Sequence, residues 1–134
     1  MHPLRHILLV EDDDEMRRLL RLVLARSGFE VTEAPNGRRA LEILINLLAV
    51  PPCDKPLPDL VITDQRMPGL SGLGLIEAMR LAWCQVPAIL ITAFGDETME
   101  ARADALGGVA VLDKPFEMDA LLAMMSRLQA CPSP

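Results

Sequence analysis

The chain has 134 residues and a formal net charge of -6, with 51% hydrophobic and 24% charged residues, so it can pack one domain, and disorder is excluded as its main state. The acidic balance, with 3% aromatics and no Tyr, argues against direct nucleic-acid binding, which needs a basic face and stacking platforms. Three scattered cysteines, Cys53, Cys84 and Cys131, with only His2 and His6 to join them, argue against a disulfide framework or a zinc site.

The first apolar run, 7–10, stops at acids as a strand covered on both faces would. It is too short for a signal-peptide core, and no later segment approaches the length of a membrane span, so no membrane insertion and a cytoplasmic location are expected. Met16, Leu19, Leu20, Val23 and Leu24 then form one helical stripe, with Gly28 placed as a C-terminal cap. Phe29 and Val31 alternate with polar neighbours as a second strand. Pro35, Asn36 and Gly37 supply a turn, and Ala40, Leu41, Leu44, Leu47 and Leu48 make a second stripe.

The stretch 50–58 holds Pro51, Pro52, Pro56 and Pro58 and reads as a surface connection rather than a domain boundary. Residues 60–63 form the third strand, and Leu75, Ile76 and Met79 mark the third helix. Residues 88–91, entered through Pro87, form the fourth strand. The helix after it, near 97–106, has only Met99, Ala103 and Leu106 for an inner face and is expected to be the least firmly anchored. Residues 109–112 form the fifth strand, and Met118, Leu121, Leu122, Met125 and Leu128 complete a fifth stripe that reads as core or partner surface. Unbroken apolar strands between helices predict an α/β fold, a parallel sheet with helices on both faces. Ligands of such sheets bind beyond the carboxyl ends of the strands.

Those ends carry Glu11 and Asp12, Asp64, Thr92 and, just past the fifth strand, Lys114. Each has a bland reading. The acids 11–15 could be a solvated helix start, Lys114 a surface charge, and Thr92 a strand-end hydroxyl bonded to its own backbone. Asp64 shifts the balance, because it follows an apolar run at another strand end and should be buried at its base and open at its tip. Three carboxylates brought together repel unless a cation joins them, and an oxygen-only set suits Mg2+. Lys114 would then oppose an anion bound with the metal, and the Thr92 hydroxyl could donate to a phosphoryl oxygen.

Four segments in order carry a resemblance: Leu8-Leu9-Val10-Glu11-Asp12-Asp13 with Met16-Arg17, Pro58-Asp59-Leu60-Val61-Ile62-Thr63-Asp64 with Met67-Pro68-Gly69 and Gly72, Ile91-Thr92-Ala93, and Asp113-Lys114-Pro115-Phe116. The chain resembles the receiver domain of two-component response regulators from about residue 6 to 128. The resemblance implies a doubly wound (βα)5 sandwich, flavodoxin-like, with parallel strands in the order 2-1-3-4-5, and a single receiver domain over 1–134 with no output domain in this chain.

It also implies roles. Asp64 is the phosphoacceptor, Thr92 and Lys114 hold phosphoryl oxygens, and Mg2+ is bound by Asp12, Asp64 and the backbone carbonyl of Arg66, with Glu11 acting mainly through a bound water. A cis Lys114-Pro115 peptide is implied as well. The donor is a phosphohistidine on a sensor histidine kinase or phosphotransfer protein. The output is a downstream protein docking on the face of the fourth and fifth helices and fifth strand, and a homodimer stays open. The chain then catalyses only its own phosphorylation and dephosphorylation and is not an enzyme acting on a metabolite.

Val111 departs from the pattern, standing where many receivers have an aromatic ring that moves with the Thr. Phe94, two residues after Thr92, is expected to shield the acyl phosphate partly, with Arg66 on the other side; a loop Phe that contacts a partner is the competing reading. A haloacid-dehalogenase-type phosphatase would need a second Asp where Arg66 stands and a cap domain that this length does not hold. No P-loop sequence occurs. The remaining alternative is a receiver-like module that binds a partner without being phosphorylated. Five of the 19 acids lie in 11–15, so most of the net charge is local to the strand end where the metal site is expected.

Overall fold

The computed structural model describes residues 4–49, 57–93 and 95–130. Strand and helix alternate through β1 (His6–Val10), α1 (Asp14–Arg26), β2 (Glu30–Ala34), α2 (Gly37–Ala49), β3 (Leu60–Asp64), α3 (Gly72–Leu81), β4 (Ala88–Thr92), α4 (Glu97–Leu106), β5 (Val109–Asp113) and α5 (Met118–Ala130). The strands pair in parallel in the order β2-β1-β3-β4-β5, as the resemblance implies.

Successive side chains of a strand point to opposite faces, so the apolar runs divide between two cores. Leu8, Val10, Val61, Ala88 and Leu90 face Leu44 of α2 and Leu73, Ile76 and Met79 of α3, with Met99 and Leu106 of α4 at the margin. Ile7, Leu9, Leu60, Ile62, Ile89 and Ile91 face Leu20 and Leu24 of α1 and Leu121 and Met125 of α5. Both faces of the central strands are dry, which is why they read as continuous hydrophobic runs.

The helices start on side chains suited to capping. The Asp13 carboxylate accepts from the Glu15 and Met16 N–H groups, Ser71 from Gly74, and Asp96 from Met99, each satisfying donors that the first turn leaves unpaired. Asp13, Asp14 and Glu15 are therefore the solvated helix start, while Glu11 is buried. Gly28, at φ 96°, follows the end of α1, where its missing Cβ permits the left-handed turn.

Two sequence expectations need correction. Gly37 is the first residue of α2 rather than part of a turn, because the Asn36 side chain accepts the Arg39 N–H and starts the helix one residue earlier. Leu19 and Leu48, placed on inner stripes, are 50% and 40% exposed. A helix turns about 100° per residue, and with Leu20 and Leu24 seated on the sheet Leu19 falls on the flank. The connection is described only from residue 57, so 50–56 lie outside the described residues, as do Phe94, His2, Cys53 and Cys131.

Helix α4 buries Ala103 alone, fewer side chains than any other helix among the described residues, in agreement with the weak inner face read from its sequence. Polar contacts from α3 add to the marginal packing of Met99 and Leu106. Arg102 pairs with Glu77, and the Arg80 guanidinium, which also donates to the Cys84 and Val86 carbonyls of the loop after α3, donates to the Gly107 carbonyl at the end of α4.

The end of α3 carries a strained residue. Cys84 N–H returns to the Met79 carbonyl and Trp83 N–H to Arg80, closing a Schellman-type turn in which Trp83 adopts φ 62° while its side chain is 87% exposed. A side chain there costs about 1–2 kcal/mol relative to the right-handed region, and glycine avoids that cost. Trp83→Gly is therefore expected to stabilise the fold by about 0.5–1 kcal/mol, after allowance for the larger unfolded-state entropy of glycine. Urea denaturation checks this, and a loss of stability would mean that the indole packs on the protein in solution.

Candidate functional site: an acidic cluster facing a lysine

Strand register brings the candidate residues together. Val10 pairs with Thr63, so Glu11 follows β1 at the level of Asp64. Asp64 pairs with Ile91 and Thr92 pairs with Asp113, so Thr92 and Lys114 lie at the same edge of the sheet. The ladder continues one bond further on each side: Gln65 N–H donates to the Ile91 carbonyl and Lys114 N–H to the Thr92 carbonyl, both at 2.8 Å. Glu11, Asp64 and Thr92 are all buried, whereas Asp12 is exposed.

Carboxylate oxygens of Glu11, Asp12 and Asp64 lie within 4.8 Å of one another. At that separation, repulsion between two ionised groups near the surface is on the order of 3 kcal/mol. Lys114 offsets part of it, with Nζ 2.8 Å from Asp64 Oδ1. The imbalance shows on Glu11: burial, and next the Asp64 charge, push its carboxyl up to about 7, against the Asp13 N–H that it accepts and the Lys114 charge. Burial by itself draws the Lys114 ammonium down, but the hydrogen bond and charge of Asp64, with the charges of Glu11 and Asp12, hold it above its usual range. An oxygen-only set of three carboxylates, one of them open to water, fits a hard divalent cation that retains part of its hydration.

The cavity beside this cluster has a volume of about 430 Å3 and is lined by Asp64, Arg66, Thr92 and Lys114 together with Ser71 and Met99. The Lys114-Pro115 peptide is cis, as the resemblance implies. Two residues beside Asp64 received no role from the sequence. Gln65 accepts the Gly72 N–H on its carbonyl and the Leu73 N–H on its side chain, at 3.1 and 2.8 Å, and so ties the loop after β3 to the start of α3. Gly72 lets α3 approach the Asp64 carbonyl, a space that a Cβ would fill. Gly72 was visible only as part of a motif, and Gln65 carried no signal beyond its place after the acid.

Val111 is half-buried, and the loop backbone at Gly95 passes close to it. A Cβ at Gly95 would stand 3.0 Å from Thr92 Cγ2 and 2.9 Å from Asp113 Oδ1. The space next to Thr92 is thus bounded by main chain and a small side chain.

The family model of the response regulator receiver domain matches residues 7–126. The chain belongs to that family. Receiver domains are signalling switches rather than enzymes turning over an external metabolite. This receiver is 33% identical over 127 residues to the regulatory protein AtoC of Escherichia coli, covering 95% of this chain and 26% of AtoC. It is 32% identical to sporulation initiation phosphotransferase F of Bacillus subtilis, covering 84% of each. Among solved structures, response regulator TrrA of Thermotoga maritima in complex with Mg2+-BeF superposes with a TM-score of 0.76 at 30% identity, covering 93% of this receiver and 99% of TrrA. The receiver thus spans about a quarter of AtoC and most of the phosphotransferase. No helix among its described residues is long and apolar enough to cross a membrane.

Proposed function

We propose that this receiver is a cytoplasmic phosphoryl-accepting switch whose phosphoacceptor is Asp64. The observation that carries the reading is the cluster of Glu11, Asp12 and Asp64 facing Lys114 at one edge of the sheet. Asp12, Asp64 and the Arg66 carbonyl would hold Mg2+ directly, with Glu11 acting through a bound water. When bound, the ion supplies the positive charge that lets a phosphoryl group approach the acids.

An Asp64 carboxylate oxygen attacks phosphorus of a phosphohistidine on a sensor histidine kinase or phosphotransfer protein. The P–O bond forms as the P–N bond breaks, and the imidazole nitrogen leaves with the electron pair and takes up a proton. Lys114 pairs with a phosphoryl oxygen in place of Asp64 Oδ1, and the Thr92 hydroxyl donates to another. Drawing Thr92 inward moves the loop through Gly95 and, with it, the weakly buried α4. A downstream protein then reads the face of α4, β5 and α5. With Val111 in the aromatic position, the signal passes through the Gly95 main chain beside Thr92 rather than through a swinging ring. Val111 also favours a second reading, a partner-binding module that is never phosphorylated.

Intact-mass measurement after incubation with acetyl phosphate separates the two. The first reading expects a gain of one phosphoryl group with Mg2+ and none with the metal chelated. No gain overturns it in favour of the second, and a gain indifferent to chelation overturns the Mg2+ dependence of the first.

A further inference from the structure

The end of β1 poses a backbone problem. Val10 is the last residue of β1 with partners on both neighbouring strands. Glu11 lies just beyond and is buried. Its N–H still reaches the Ala34 carbonyl at 3.2 Å, but its own carbonyl has passed the end of the ladder. A buried carbonyl needs a donor, and α1 provides one: Arg17 Nη1 donates to Glu11 O at 2.8 Å. The same guanidinium donates through Nη2 to Asp14 Oδ1 at 2.7 Å and stands, at Nε, 3.5 Å from Glu33 Oε1 on β2. Arg21, one turn further along α1, stands 3.5 Å from the other Glu33 oxygen. One half-buried side chain therefore joins the loop after β1, the first turn of α1 and the edge strand.

We infer that Arg17 is a positioning residue of the acidic cluster, holding the Glu11 main chain so that the Glu11 and Asp12 carboxylates stay aimed at Asp64. This rests on the metal-site reading above and assigns work to the Met16-Arg17 segment, which the proposed chemistry leaves without a role. Three carboxylates within 4.8 Å push one another apart, and the loop that carries two of them can relieve the repulsion by swinging outward. A charged hydrogen bond to the loop carbonyl opposes that motion from behind, and the planar fork of arginine makes three contacts at once where lysine offers a point charge. The site is then formed before the cation arrives, and less ordering is left to oppose binding.

The test measures Mg2+ affinity by amide chemical-shift titration of the full chain, with phosphorylation by acetyl phosphate followed at limiting and saturating Mg2+. Arg17→Ala is expected to weaken Mg2+ binding about 10-fold, the scale seen when a group that orients a metal ligand is removed. Its phosphorylation rate at saturating Mg2+ should return to within about twofold of wild type, because Arg17 touches neither the metal nor the phosphoryl group. In the metal-free chain the Glu11 amide should exchange with solvent faster than in wild type.

Arg17→Lys, which keeps the charge and serves if the alanine variant is unstable, should fall between the two. Arg18→Ala, which removes an equal charge from the next residue, should bind Mg2+ as wild type does. The inference is overturned if Arg17→Ala and Arg17→Lys keep wild-type affinity, if Arg18→Ala loses as much, or if the rate defect persists at saturating Mg2+. Wild type that binds no Mg2+ would overturn the metal-site reading and this inference together; wild type that binds while both Arg17 variants match it overturns the inference alone.

Discussion

Asp64→Asn is expected to abolish phosphorylation while leaving the fold at least as stable as wild type. The amide has no anionic oxygen to attack phosphorus, so the rate with acetyl phosphate and Mg2+ should fall by about 10^3-fold or more, to background by intact mass. Mg2+ affinity should fall as well, since one of three clustered carboxylates is lost. Stability should move the other way. In the metal-free chain Asp64 is attracted to Lys114 but faces two other carboxylates, and its charge is one reason why the Glu11 carboxyl is raised. Asparagine keeps the volume and can still accept from Lys114, so what disappears is mainly repulsion. Urea denaturation at pH 8, where the acids are ionised, should show a gain of up to about 1 kcal/mol. A loss of that size would mean that the Lys114 pair outweighs the repulsion. A mutant that still gains a phosphoryl group would move the acceptor elsewhere.

Gly72→Ala is expected to damage both stability and the site. A Cβ at this position collides with the Asp64 carbonyl oxygen and stands 2.7 Å from Leu90 Cδ1. Leucine can give way by changing rotamer, but the carbonyl belongs to the backbone of a fully buried central strand and has nowhere to go. Helix α3 must then lift from β3, straining the Gly72 and Leu73 hydrogen bonds to Gln65. Overpacking of this kind costs about 1–3 kcal/mol, and the upper end is expected because main chain is involved. The phosphorylation rate should fall with it, since Asp64 is carried on the displaced backbone. Gly74→Ala serves as the comparison: its Cβ would meet the flexible end of Leu70 at 3.0 Å, and a much smaller loss is expected. Equal losses from the two variants would mean that helix propensity, not the contact with Asp64, governs the position.

Four strands were legible as continuous apolar runs, which fall within a residue of β1, β3, β4 and β5, whereas the edge strand β2 was read from the alternation of Phe29 and Val31 and extends to Ala34. Helix stripes were legible less sharply. Leu20 and Leu24 are in the core, but Leu19 and Leu48 are not, because spacing defines a broad face and only contact with the sheet defines which part of it is covered. The weakness of α4 was readable from its few apolar residues, whereas its ties through Arg80 and Arg102 join residues far apart in the chain. At the site, Glu11, Asp12, Asp64, Thr92 and Lys114 stood out as reactive side chains at strand ends. Gln65, Gly72 and Arg17 did not, since each acts on a main-chain atom, and nothing in a residue's identity announces the carbonyl that it will meet.

By itself, then, the sequence determined the order of elements, the parallel sheet and the five reactive side chains, because these follow from local periodicity and from the geometry of strand ends. Only the tertiary structure decided how close those side chains come. The separation of three acids and the 2.8 Å contact of Lys114 with Asp64 depend on strand register. Which backbone atoms are braced, by Arg17 at Glu11 and by Gln65 at α3, depends on how each helix seats on the sheet. Register and seating are set by packing across the whole domain, and a shift of one residue would turn each strand's side chains to the opposite face.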